Sequence, residues 1–136
     1  EKIQVFGGNQ YRPFLNVEDA ADSLIFALEK NLTGIYNVVS ENLTISEASQ
    51  RIKKLSDCEI EVLSQNEDKR NYKVSGDKLK QIGFTPSQTI ESSYQKIKNA
   101  FDMGLFDDYS NPKYNNYKLL FSSKEMQERV FMLGLE

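Results

Sequence analysis

The amino-acid sequence predicts an α/β fold built around a strand, a helix and a strand in succession. Short apolar runs at residues 3–6, 14–17 and 35–39 predict β-strands, the last with the β-branched composition of a buried strand. Between the second and third runs, apolar side chains recur at helical spacing over residues 19–30. Such a succession is a βαβ unit, which implies a parallel strand pair and a right-handed crossover.

Two polar features predict where helices begin. Asp19 is predicted to cap the first helix, because its carboxylate can accept hydrogen bonds from the free amides of a first turn. Thr44–Glu47 has the spacing of a capping box and predicts a second helix that ends near Leu55. The first helix is expected to bury one apolar stripe against the core. That stripe consists of Val17, Ala21, Leu24, Ile25 and Leu28.

Additional short strands and helices complete the predicted fold. Residues 60–63 alternate as a strand does, residues 77–82 predict a short helix, and a longer helix with an apolar stripe covers residues 90–101. Past Gly104 the pattern weakens, and a capping-box spacing at residues 122–125 predicts a terminal helix. We therefore expect residues 1–104 to form the body and residues 105–136 a loosely packed tail with a terminal helix.

The composition excludes several kinds of chemistry. The chain of 136 residues has no histidine and one cysteine, so it offers neither an imidazole base nor the ligands of a structural zinc site. A net charge of -3 argues against nucleic-acid binding. No apolar run approaches the roughly 20 residues that cross a bilayer, and a lone cysteine suits a reducing compartment, so we expect a cytoplasmic protein. The chain enters a strand directly after Glu1, as a segment of a larger protein would.

Two arginines are candidate ligand contacts. Pro13 favours an extended backbone at Arg12, which places a guanidinium group at the start of a strand. Guanidinium groups form paired hydrogen bonds with phosphate, and Arg70, in a polar loop, could clamp one diphosphate from the opposite side. The alternative is that both are solvated, because isolated arginines and mixed-charge runs are mostly surface features.

The segment 5–21, VFGGNQYRPFLNVEDAA, resembles the extended short-chain dehydrogenase/reductases, the NAD-dependent sugar-nucleotide epimerases and dehydratases. In that family a glycine turn, an arginine and an F-[ILV]-x-V-x-D run occur in this order. Further matches follow in the family's order at residues 34–38, 44–47, 72–86 and 90–101, so the resemblance covers residues 2–104. It implies the C-terminal, substrate-binding portion of a Rossmann-type enzyme, without the N-terminal half that binds NAD.

The resemblance also implies roles for individual residues. It implies that Arg12 contacts the diphosphate of a nucleoside-diphosphate sugar, that Arg70 does the same, and that Gln10 is a neighbour of the ligand. Catalytic, cofactor-binding and metal-binding residues are expected to be absent from this chain, which alone would have no activity. NAD would be the cofactor of the full-length protein, and neither nucleic acid nor membrane is an expected partner. The alternative is a non-catalytic binding or assembly module on the same scaffold.

A Y-x-x-x-K spacing at Tyr94 and Lys98 matches the acid/base pair of short-chain dehydrogenases, but we interpret Tyr94 as a core residue. It lies on the apolar stripe of its helix, and the chain has no G-x-G-x-x-G fingerprint for a dinucleotide. A chain without its Rossmann half would expose apolar surface. We therefore expect self-association, or association with that missing half.

Overall fold

The structure is a computed structural model that describes residues 2–63, 68–106, 108–120 and 128. The chain divides into two compact units, Glu1–Lys98 and Asn99–Glu136. The division predicted at residue 104 stays a prediction. The elements are β1 (Lys2–Phe6), β2 (Tyr11–Phe14), α1 (Val17–Glu29), β3 (Glu41–Thr44), α2 (Ile45–Lys53), β4 (Glu59–Leu63), α3 (Asp77–Lys80), α4 (Ile90–Asp102), a 3-10 helix (Pro112–Tyr114) and α5 (Asn116–Leu120).

The described strands form two sheets of two strands each. β1 pairs in parallel with β4, with Val5 opposite Val62, and β2 pairs antiparallel with β3, with Arg12 opposite Leu43. The chain between β1 and β4 contains α1 and α2. A parallel pair bridged by helices confirms the predicted α/β class. Val5 is 1% exposed and is among the most deeply buried side chains of the described core.

The two strands predicted for the βαβ unit, at residues 14–17 and 35–39, do not form as predicted. β2 ends at Phe14, and residues 35–39 form no strand. β-branched residues favour a strand when a neighbouring strand pairs with them and packs beside them, and no described strand pairs with residues 35–39. Ile35 is accordingly 85% exposed. The partner of β2 is instead Glu41–Thr44, a run too short and polar to predict a strand.

The first helix is capped by Asn16 rather than by Asp19. The Asn16 side chain accepts a hydrogen bond from the Glu18 amide at 2.8 Å, which fixes the start of α1 at Val17. Asp19 is 2% exposed and accepts hydrogen bonds from amides far along the chain instead of from the first turn of α1. Its carboxylate accepts from the amides of Ser87 at 2.9 Å and Gln88 at 3.0 Å, just before α4.

Asp19 therefore fastens the segment before α4 to α1. The hydroxyl groups of Ser87 and Ser40 also donate to its carboxylate, both at 3.2 Å. Burial raises the pKa of Asp19, but the hydrogen bonds from Ser87, Gln88 and Ser40 outweigh it and leave the pKa below its ordinary value. The predicted chemistry of this carboxylate is correct, whereas the amides assigned to it are wrong.

The capping box at the start of α2 is confirmed. Thr44 Oγ1 accepts from the Glu47 amide at 3.0 Å, and Glu47 Oε2 accepts from the Thr44 amide at 2.7 Å. The helix ends at Lys53, slightly before the predicted Leu55. Near its end, Arg51 forms ion pairs with Glu41 of β3 and Glu91 of α4. This arginine joins three elements of the first unit.

The apolar stripe of α1 faces outward, which corrects the expectation that it packs against the core. Val17, Leu24 and Leu28 are 80%, 68% and 78% exposed. The buried residues of α1 are Asp19 and Ser23, because the polar side of the helix binds the segment before α4. We call Val17, Ala21, Leu24, Ile25 and Leu28 the α1 stripe.

The second unit is described through residue 120, apart from residue 107, and at residue 128. Aromatic rings pack there in sequence: Phe106 lies 4.7 Å from Phe101 and 5.2 Å from Tyr114 between ring centroids. The predicted cap at residues 122–125 and most of the predicted terminal helix lie outside the described residues. Among the helices that the structure describes, none combines the length and hydropathy that crossing a bilayer requires.

Candidate functional site

Arg12 lies on β2 with its guanidinium group held from several directions. Its side chain is 17% exposed, and Nη2 lies 2.9 Å from Asp68 Oδ2. Nη1 donates to the carbonyl oxygen of Tyr11 at 2.8 Å and also to that of Arg70. The guanidinium carbon lies 5.6 Å from the centroid of the Tyr72 ring, within the range of a cation–π contact. The guanidinium group is thus oriented before any ligand binds.

Arg70 binds the same carboxylate from the solvent side. Its Nη2 lies 2.6 Å from Asp68 Oδ2 and its Nε 3.0 Å from Oδ1. The Arg70 side chain is 75% exposed and that of Asp68 is 39% exposed. Hydrogen bonds from Arg70, and in smaller measure from Arg12, hold the pKa of the Asp68 carboxyl well below its usual range. Asp68 is therefore ionised at neutral pH, and it raises the pKa of Arg70 in turn.

Arg12, Arg70 and Asp68 together form what we call the two-arginine site. The structure brings the two predicted arginines together, since both guanidinium groups bond the single oxygen Asp68 Oδ2. Their binding of a ligand stays a prediction. Sequence reasoning missed Asp68 and Tyr72 as members of the site. The D-x-R spacing in the loop was an available signal, because an Asp side chain commonly bonds backbone two residues on, as Asp68 bonds the Arg70 amide.

Gln10 directly precedes β2 and is 7% exposed. Its Oε1 accepts from the Gly8 amide at 2.7 Å and its Nε2 donates to the Phe6 carbonyl at 2.7 Å. Gly8 itself has φ +114°, and a Cβ there would lie 2.3 Å from Ser46 Oγ, so only glycine fits. Gln10 thus holds the turn between β1 and β2. Its role as a neighbour of the ligand stays a prediction.

The same turn does not fit the phosphates of a dinucleotide cofactor. Such a site presents free amides at the N-terminus of a helix, after a glycine-rich loop. Here the Gly7-Gly8 turn leads into β2, and the Gly8 amide is already bonded to Gln10. The described residues therefore offer no dinucleotide-binding loop at these glycines.

Tyr94 and Lys98 line an open cavity of about 760 Å³ at the end of α2. Tyr94 is half-buried, so the interpretation of its ring as core is only partly correct. Lys53, Lys54 and Ser56 also line this cavity. The pair lies on the first unit without a dinucleotide cradle among the residues described around it, so it gives no support to an acid/base role.

No protein-family model matches the chain. Solved structures do match it. RMD from Pseudomonas aeruginosa, in complex with NADPH, is 23% identical with a TM-score of 0.58 over 68% of this chain and 32% of its own. A GDP-D-glycero-L-gluco-heptose synthase from Campylobacter jejuni, in the presence of NADPH, is 13% identical with a TM-score of 0.57 over 75% and 33%. A GDP-6-OMe-4-keto-L-xylo-heptose reductase from C. jejuni is 15% identical with a TM-score of 0.58 over 75% and 33%.

These likenesses define the class of fold. The chain has the fold of a portion of an extended short-chain dehydrogenase/reductase, which confirms the resemblance seen in the sequence at the level of the fold. It spans about a third of the length of the structures that it matches.

Proposed function

We propose that this chain is the substrate-binding portion of an NAD-dependent nucleotide-sugar epimerase or dehydratase, and that the two-arginine site binds the diphosphate of a nucleoside-diphosphate sugar. The observation that carries the proposal is the convergence of Arg12 and Arg70 on one anionic oxygen. Phosphate oxygens can take the place of this carboxylate, because both groups accept paired hydrogen bonds from the planar guanidinium group.

The two arginines would contribute in different ways. Arg12 is held by the Tyr11 carbonyl and the Tyr72 ring, so little side-chain freedom is lost when it binds a phosphate. Arg70 is exposed and can adjust to the position of a second phosphate. One rigid and one adaptable cation suit a diphosphate whose two phosphates differ in their substituents.

The comparisons support this ligand class without extending to the reaction. Two of the similar proteins carry names that refer to GDP-linked heptoses, one of the structures is a complex with NADPH, and another was obtained in the presence of NADPH. We propose that the nicotinamide cofactor, expected from the sequence to be NAD, binds a Rossmann half outside these 136 residues. That half would also cover the α1 stripe and supply a strand beside residues 35–39.

Arg12→Ala is expected to weaken the binding of the cognate sugar nucleotide at least tenfold, because it removes charge-assisted hydrogen bonds worth about 1.5–3 kcal/mol each. Isothermal titration of UDP-, GDP- and dTDP-sugars onto both proteins measures the change. Lys69→Ala is the matched control, since it removes one positive charge from the loop that carries Arg70. Equal affinities of wild type and Arg12→Ala would contradict the proposed function.

The exposed α1 stripe favours a second candidate function, a non-catalytic binding or assembly module on the same scaffold. Several large apolar side chains on one helix face are more than a monomeric surface usually presents together. In the same titration, such a module would show no dependence on the sugar nucleotide or on Arg12.

Self-association of the isolated chain is expected at high concentration, because the α1 stripe is uncovered. Light scattering should report a mass above that of the 15.6 kDa monomer. Leu24→Glu with Leu28→Glu should restore the monomer, whereas Leu105→Glu, at a side chain that is 62% exposed in the second unit, should not. A wild-type chain that remains monomeric would contradict this expectation.

A further inference from the structure

We propose that Asp68 is a specificity-determining residue of the two-arginine site, which its carboxylate occupies in place of the ligand's phosphates. A diphosphate then binds by displacing Asp68 from both arginines. This inference rests on the proposed diphosphate-binding function and adds to it a built-in competitor that sets which anions can enter.

The geometry identifies Asp68 as the group that moves. Arg12 lies on β2, is 17% exposed, and donates to the Tyr11 and Arg70 carbonyl oxygens in addition to its ion pair with Asp68. Asp68 lies in the loop between β4 and α3, and its side chain is 39% exposed. Rotation of this one short side chain toward solvent would remove the carboxylate from both guanidinium groups, while the backbone carbonyl oxygens of Tyr11, Asp68 and Arg70 would still orient Arg12.

The charges determine which ligand can displace it. One carboxylate, with a single negative charge, is shared by two guanidinium groups through Oδ2. The diphosphate of a sugar nucleotide carries two charges on separate phosphates, so each arginine would gain its own anion. An anion with a single charge would only replace the shared carboxylate, and it would compete against a tethered group whose effective concentration is of millimolar order or higher. Asp68 therefore excludes singly charged anions.

The test uses two probes that carry no nucleobase. Inorganic pyrophosphate presents two phosphates, and dimethyl phosphate presents one negative charge. Asp68→Asn is expected to bind pyrophosphate about tenfold more tightly than wild type does, and to bind dimethyl phosphate measurably where wild type does not. Asp57→Asn is the matched control for net charge, since it removes one carboxylate from an exposed connection between α2 and β4. It should leave both affinities within twofold of wild type.

A second measurement distinguishes displacement of Asp68 from the arginines from simple charge repulsion between Asp68 and the anionic ligand. In proton–nitrogen NMR spectra, the Nε resonance of Arg70, which bonds Asp68 Oδ1, should move toward that of a solvated guanidinium group in Asp68→Asn. Pyrophosphate should shift the same resonance in wild type. If neither Asp68→Asn nor the addition of pyrophosphate shifts the Arg70 Nε resonance, the inference is overturned.

The outcomes distinguish the inference from the function on which it rests. If Arg12→Ala weakens pyrophosphate binding but Asp68→Asn leaves it unchanged or weaker, Asp68 positions the arginines and does not compete, and the inference fails alone. If neither wild type nor Asp68→Asn binds pyrophosphate in a way that depends on Arg12, the proposed diphosphate site and the inference fail together.

Discussion

Asp19→Ala is expected to lower the free energy of unfolding by about 2–4 kcal/mol. The substitution leaves the amides of Ser87 and Gln88 without the acceptor that they bond at 2.9 and 3.0 Å. Hydrogen bonds to a charged group contribute about 1.5–3 kcal/mol each, and those made to one carboxylate are not additive. Urea denaturation at pH 7, followed by circular dichroism, measures the loss.

Asp22→Ala is the matched control for Asp19, because it removes an exposed carboxylate from the same helix. Exposed substitutions usually change stability by less than about 0.5 kcal/mol. The pH dependence gives an independent check. Since the folded state lowers the pKa of Asp19, its stabilising contribution is present above the ordinary pKa and is lost as the pH falls through the folded pKa. Equal unfolding free energies for the two variants would contradict the assigned role of Asp19.

Features that depend on near neighbours in the chain could be predicted from the sequence. The capping box of Thr44 and Glu47 spans three residues, so its spacing alone determines which amides it serves. Asp19 shows where this reasoning ends. Its carboxylate was correctly assigned to free amides, but those amides lie 68 and 69 residues away, where no local pattern points.

Residues 35–39 and the α1 stripe show a second limit. Both have the composition of buried structure, yet Ile35 is 85% exposed and the large side chains of the α1 stripe lie at the surface, while Val39 is buried without belonging to a strand. A hydrophobic pattern states that a surface favours burial, but it does not state which part of a protein covers it.

The two arginines of the candidate site could be predicted from the sequence, but the carboxylate that joins them could not. Arg12 and Arg70 could be proposed from residue type and backbone context, and the bond between Arg70 and Asp68 is local. The contact of Arg12 with Asp68 joins a strand to a loop 56 residues later, and it follows from the fold alone. For that reason the sequence predicts two cations, while the structure adds the anion between them.

Arg51→Ala is expected to lower the free energy of unfolding by about 1–2 kcal/mol at pH 7, after allowance for solvent screening of a partly exposed ion pair. Arg51 bonds Glu41 at 2.5 Å and Glu91 at 2.5 Å, and so joins α2 to β3 and α4. Hydrogen bonds from Arg51 lower the pKa of Glu91 from 4.5 to about 2. Because this folded pKa lies below the unfolded value, the contribution is full above about pH 4.5 and is lost as the pH falls toward 2.

Unfolding free energies measured from pH 7 to pH 2 separate this network from a general effect of charge. Wild type should lose stability between about pH 4.5 and 2 more steeply than Arg51→Ala does, because Glu91 is no longer depressed in the variant. Lys53→Ala is the matched control, since it removes a cation from the same last turn of α2. The unfolding free energy of Lys53→Ala should change with pH as steeply as that of wild type. If Arg51→Ala also ran parallel to wild type, the ion pairs would contribute nothing to the acid dependence, and the joining of α2 to α4 would rest on packing alone.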